Sequence, residues 1–211
     1  MKNEINSLLR NDLLSFGRKA LRRLEGITLS HDRYVELLAS ELSAFAEGRT
    51  KRLLVNLLSP RDPKILLGSV CLAAWILGHS PTTKIMLLAC SEKLAEKFSR
   101  QIRSIMSAQW YQEIFPTRLK KGHAKAMDFE TEDGGGVFAS SLNGIITGIG
   151  AEIIIVDYDI SDVRNPGLLD DTVATFLAVV RSKLNDRKTG RILVIVPRSH
   201  DRDLSVQISP F

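Results

Sequence analysis

"LLVNLLSPRDPKILLGS", residues 53–69, decides how the rest of the chain is read. A run of leucine and valine stops at Ser59-Pro60. A short polar loop follows and ends at Lys64, after which the chain turns apolar again. That order is strand, loop and helix, with a lysine where a phosphate would be held. A working phosphate loop uses glycines to reach positive φ and aim N–H groups at the phosphates. Its lysine reaches the β and γ phosphates, and a Ser or Thr hydroxyl ligates magnesium. Lys64 is present here, but Pro63 stands directly before it, fixing φ near about −65° and removing a donor. Ile65 follows and offers no oxygen to a metal. Taken alone, the stretch is a phosphate loop, the remains of one, or an accident.

The bulk numbers narrow the setting. A chain of 211 residues suits one sizeable domain, or one domain with a helical extension. With 44% hydrophobic and 25% charged residues, the composition is that of a folded globular protein and excludes general disorder. The net charge of +5, from 29 basic and 24 acidic residues, is compatible with a polyanionic partner without requiring one. Cys71 and Cys90 both lie in apolar contexts, which reads as buried thiols and not as a disulfide framework. His31, His79, His123 and His200 show no metal-ligand spacing with them, so no zinc site is expected. The N-terminus mixes acids and polar residues into its apolar pattern, unlike a signal peptide. No apolar run reaches the roughly 18–20 residues of a membrane helix, so a cytoplasmic protein is expected.

Working outward from the loop, residues 4–24 carry Ile5, Leu8, Leu9, Leu13, Phe16, Leu21 and Leu24 at helical spacing, with Gly17 as the weak point. Arg10, Arg18, Lys19, Arg22 and Arg23 make this segment either a solvated helix face or a basic arm for DNA or a partner. Ser30 reads as the N-cap of a second helix over 31–47, with Tyr34, Leu37, Leu38, Leu42 and Phe45 on its apolar face. From residue 53 the texture alternates. "RLLVNLL", "KIMLLAC", "GGGVFASS", "AEIIIVDYD" and "GRILVIVPRS" read as strands. "LLGSVCLAAWILG", "EKLAEKFSRQIRSIMSA" (capped by Ser91) and "LLDDTVATFLAVVRSKL" read as helices. Strands that are apolar throughout, separated by helices, predict a parallel sheet covered on both faces. The expected fold is therefore α/β and three-layered, with residues 1–50 as a helical extension and 51–211 as the α/β domain.

Ligands of such sheets bind at the carboxyl ends of the strands. Two ends carry candidate chemistry: residues 59–64, and Asp157, which closes "EIIIVD" as a magnesium-holding acid would. The position after Asp157, where an acid would activate the attacking water, is Tyr158. Loss of a general base costs about 10²- to 10⁴-fold in rate. Asp159 does not replace it, because on a strand it faces as Asp157 does.

The order of these pieces resembles the ATPase domain of phage terminase large subunits. "HDRYVELLASELSAFAEGRTKRLLVNLLSPRDPK" is similar to the family's helix leading to "KRLIINLPPRHGKS". "LLACSEKLAEKFSRQIRSIM" resembles "ASYSADLAEDFSRKVRDLI", and "EIFPTRLKKG" follows as expected. "LNGIITGIGAEIIIVDYDISD" is similar to "GGGITGRGADLLIIDDPIKD", and "GRILVIVPRSHDRDL" to "GRIIVIQTRWHEDDL". The likeness spans residues 28–208. It implies a P-loop NTPase-like domain of the ASCE/RecA-like kind. It makes "PRDPKI", Pro60, Arg61, Asp62, Pro63, Lys64 and Ile65, a derivative of the Walker A loop. Arg61 and Lys64 then match the residues that sense and hold the triphosphate, Asp157 matches the Walker B acid that holds magnesium, and Arg198 lies in the coupling motif. ATP and Mg²⁺ are the implied cofactors. Double-stranded DNA, a portal or small terminase subunit and further copies of the chain are the implied partners.

The departures weigh against turnover. The loop glycine is Pro63, its serine Ile65, the catalytic acid Tyr158, the "TGRGAD" arginine Ile149, and the coupling-motif tryptophan Ser199. The family's nuclease domain has no counterpart within the 211 residues, so no DNA cleavage is expected from this chain. The resulting expectation is a terminase-type ATPase-like domain with impaired or lost hydrolysis. The competing readings are an inactive DNA- or partner-binding module, including a prophage remnant, and an unrelated α/β protein.

Overall fold

The computed structural model describes residues 2–57, 63–141, 148–157 and 180–197. Three helices come first: α1 (Lys2–Asn11), α2 (Leu13–Glu25) and α3 (Arg33–Ala46). The break between the first two falls at Asp12, not at Gly17. The Asp12 carboxylate accepts from Ser15 N at 2.8 Å and so starts a new helix. Gly17 instead lies inside α2, at a close approach to the next layer, where a Cβ would stand 2.3 Å from Leu67 Cδ1. Gly26 ends α2 at φ 68°, a left-handed cap that glycine adopts without strain. Asp32, and not Ser30, caps α3: it accepts from Val35 N at 2.9 Å, while the Ser30 hydroxyl donates to the Asp32 carboxylate.

Strand β1 (Arg52–Leu57) leads towards the loop. On its far side come α4 (Lys64–Leu66), a π-helical turn (Leu67–Cys71) and α5 (Leu72–His79). Then follow β2 (Lys84–Ala89), α6 (Glu92–Ser107), α7 (Gln109–Ile114), β3 (Leu119–Ala124), β4 (Asp128–Thr131), β5 (Gly136–Ser141), β6 (Ile153–Asp157) and β7 (Arg191–Pro197). The sheet order is β1-β7-β6-β2-β5-β4-β3. The first five of these strands run parallel, and β4 and β3 complete one edge antiparallel. The described residues show the expected α/β fold, a mostly parallel sheet flanked by helices, and most of the helix expected over residues 168–184 lies outside them. The antiparallel hairpin is an addition that the sequence reading lacks.

Alternation along the strands divides the core in two. Ile153 and Ile155 of β6, with Leu193 and Ile195 of β7, join a large cluster with Leu13, Phe16, Leu42, Phe45, Leu67 and Phe98 from the helices. Ile154, Val156, Ile192 and Val194 face the other way, with Met86, Leu88 and Leu184. The N-terminal helices therefore share the main core with the sheet. Some expected core positions differ. Tyr34 and Leu37 are exposed, and Val35 and Ala39 take their place on the buried face of α3. Ile5 and Leu8 of α1 are exposed as well. Cys71 is buried as expected, but Cys90, at the end of β2, is exposed.

The π turn packs closely on β7. A Cβ at Gly68 would lie 2.8 Å from Ile195 Cδ1 and 3.7 Å from Leu42 Cδ2, all within the buried core. A Gly68→Leu variant is expected to lose about 1–3 kcal/mol of stability by overpacking. The check is urea unfolding, with a lowered midpoint and an unchanged slope.

Candidate functional site

The candidate site is built from strand ends. Pairing runs level across the sheet: Val55 opposite Ile195, Ile195 opposite Asp157, Asp157 opposite Ala89, and Ala89 opposite Ser141. Because these strands are parallel, their carboxyl ends open on one edge, and Asp157 is the acid in that row. It is only 5% exposed. By strand alternation its side chain takes the same face as Ile153 and Ile155, the face covered by the helices. Lys64 begins the helical stretch on that same face, and Gly68, one turn on, meets Ile195 beside Asp157. β7 thus separates the two chemistry-bearing strands, and one helix spans the gap. Lys64 and Asp157 thus lie at the same edge and on the same face.

Around Lys64 the geometry is specific. The Tyr34 hydroxyl donates to the carbonyl of Asn56, near the end of β1, at 2.8 Å. The Lys64 ammonium sits over the Tyr34 ring, 5.5 Å from its centroid. Such a contact contributes about 0.5–1 kcal/mol at an exposed site. The Asp32 carboxyl is held below its ordinary value, chiefly by the Ser30 hydroxyl, then by Val35 N–H, with Lys64 adding a smaller electrostatic contribution. Neither Tyr34 nor Asp32 stood out in the sequence. A tyrosine at helical spacing reads as core, and its polar end becomes informative only once β1 is beside it.

The described part of the loop lacks phosphate-loop geometry. Pro63 has φ −60° and ψ −14°, an ordinary right-handed conformation, and its side chain makes no capping bond. Ile65 packs against the main core where a metal-ligating hydroxyl would otherwise stand. The π turn next to it carries the Ser69 hydroxyl, which donates to the Ile65 carbonyl at 2.8 Å, so it is committed to its own helix. Ile149 packs on the opposite core. Pro60, Arg61, Asp62, Tyr158 and Arg198 lie outside the described residues. Among the described residues, no cluster of three or more His, Cys, Asp or Glu is placed to hold a metal, and no helix is long and apolar enough to cross a membrane.

No known family model matches the sequence, and no curated protein is similar to it. Among solved structures, the chain is similar to the HK97 bacteriophage large terminase, with a TM-score of 0.56 and 17% identity. The match covers 94% of this chain and 41% of that one, so this chain spans about two fifths of that protein's length. At this identity the likeness is one of fold, and the fold is the one the sequence reading expects.

Asp32 yields a pH test. Its folded-state pKa is depressed, so the stabilisation it gives is complete above the ordinary carboxylate value near 3.8 and fades as pH falls through the folded value. The melting-temperature gap between the wild type and Asp32→Ala should therefore close as pH drops below 3.8. A gap that stays constant down to the lowest pH at which both proteins fold would contradict this role.

Proposed function

We propose that this chain is a terminase-type ATPase-like domain, related to viral DNA-packaging motors, in which ATP hydrolysis is weak or lost. The observation that carries this reading is the placement of Lys64 and Asp157: one face, one sheet edge, strands β1 and β6 separated by β7. The fold likeness to the HK97 bacteriophage large terminase supports it.

The residues present fit a phosphate-bearing ligand better than a working magnesium site. Lys64 supplies positive charge at this edge, next to the Tyr34 ring. Among the described residues after the loop, none offers a metal a hydroxyl, since Ile65 packs against the core and Ser69 is committed to its helix. Magnesium and a general base act on charge that develops in the reaction, so each missing group removes several kcal/mol of transition-state stabilisation. Three such losses, at Pro63, Ile65 and Tyr158, leave binding as the retained activity.

The second reading is a catalytically inactive module that keeps contacts with DNA or with a packaging partner. The exposed basic residues Arg22 and Arg23 of α2 favour it. Double-stranded DNA, a portal or small terminase subunit and self-assembly are its candidate partners, each inferred from the likeness.

A phosphate-release assay tests the descent of the loop that the first reading needs. Wild-type protein should release phosphate at background rate, and the combined Pro63→Gly, Ile65→Ser and Tyr158→Glu variant should exceed it by at least about 10²-fold, the worth of a general base. A properly folded triple variant that remains inert contradicts descent of this loop from a phosphate loop.

A further inference from the structure

Helix α3 buries one face in the main core and leaves on the other the most exposed large hydrophobic side chain among the described residues. Val35, Leu38 and Leu42 are buried, whereas Tyr34 is 40% and Leu37 58% exposed. The Tyr34 hydroxyl is already bonded to the Asn56 carbonyl, so what it adds to the outer face is ring surface. Arg33, Ser40 and Glu41 are exposed as well. Arg33 precedes Leu37 by four residues and Glu41 follows it by four, which places them on one outer face, about 6 Å to either side along the helix axis. Among the described residues neither is met by an opposite charge.

A single exposed leucine is ordinary on a protein surface. Leu37 differs in standing at the centre of a face that complements itself. Laid antiparallel across it, about a two-fold axis at Leu37, a second α3 sets Leu37 against its own copy. Arg33 of each chain then meets Glu41 of the other, and Tyr34 meets Ser40. A parallel copy in the same register would set Arg33 against Arg33 and Glu41 against Glu41, which repel. The antiparallel arrangement also opposes the two helix macrodipoles. The order of charges along the face therefore selects both the occupant and its direction.

We propose that the outer face of α3 is the contact of a closed two-fold dimer of this chain. Leu37 is its apolar centre, and the two Arg33–Glu41 pairs flank it and fix the register. The contact is one helix face wide, below the roughly 1,200 Å² of buried surface at which stable interfaces begin, so association is weak and depends on concentration. Arg33, Leu37 and Glu41 take no part in the Lys64 edge, and the pairing needs neither nucleotide nor turnover. This assignment therefore stands or falls apart from the proposed function.

The test is sedimentation velocity on the full chain from about 10 µM to about 1 mM, the range in which weak pairs form. Wild-type protein should move from monomer towards dimer and stop at twice the monomer mass. Leu37→Glu, at an exposed position, should abolish the dimer and leave the melting temperature unchanged. Glu41→Arg alone and Arg33→Glu alone each set like charges across the axis twice. Each should weaken association at least about fivefold, the scale of two exposed ion pairs. Mixed in equal amounts, the two variants should associate as wild type does, because every pair across the axis is again opposite in charge. A chain that stays monomeric at the highest concentration, or grows beyond a dimer, would overturn the assignment. So would unaltered association in folded Leu37→Glu or in either charge variant, or no recovery on mixing.

Discussion

Strand β7 hydrogen-bonds along its length to β1 on one side and β6 on the other, and the rest of the architecture depends on that double pairing. It sets the lateral separation of the strand that feeds the Lys64 loop from the strand that ends in Asp157. It also fixes their level, because Ile195 stands opposite both Val55 and Asp157. A slip of one residue would turn Asp157 to the other face and bring Ile154 and Val156 into the main core. The buried alternation on both faces of β6 and β7 works against such a slip, since it would exchange two well-packed sets of side chains at once.

The helical layer is tied to that strand by contact. Gly68 lets the π turn lie directly on Ile195, and Gly17 lets α2 lie on Leu67. Glycine costs about 1 kcal/mol in a helix interior. At these two positions the cost is offset by close approach between layers. α3 then closes the arrangement, with Tyr34 bonded to the end of β1 and Asp32 in the field of Lys64. The environment of the lysine is therefore a product of tertiary packing, in which the start of α3 comes back onto the end of β1 and Lys64.

Much of this was legible before the fold. The five parallel strands were readable because fully buried strands are continuous apolar runs, as in "EIIIV" and "RILVIV". Lys64 and Asp157 were readable because each ends or follows such a run. The edge hairpin was not, because β3 carries Lys120, Lys121 and Gly122, polar residues that blunt an exposed edge and erase the alternation a strand would show. Helix starts slipped where two capping residues lie close together, Ser30 and Asp32, and spacing alone does not choose between them. Tyr34 was hidden because its ring counts as apolar in any periodicity, while its function here depends on a hydroxyl meeting Asn56.

Under the proposed function, the Lys64 edge retains phosphate recognition after losing the groups that turn over ATP. Calorimetric titration of ATP into the purified chain, with and without magnesium, tests it most directly. The expected result is weak binding that changes little when magnesium is added and disappears in Lys64→Ala. Binding strengthened tenfold or more by magnesium would contradict the loss of the metal site. No binding at millimolar ATP in folded protein would contradict phosphate recognition at this edge.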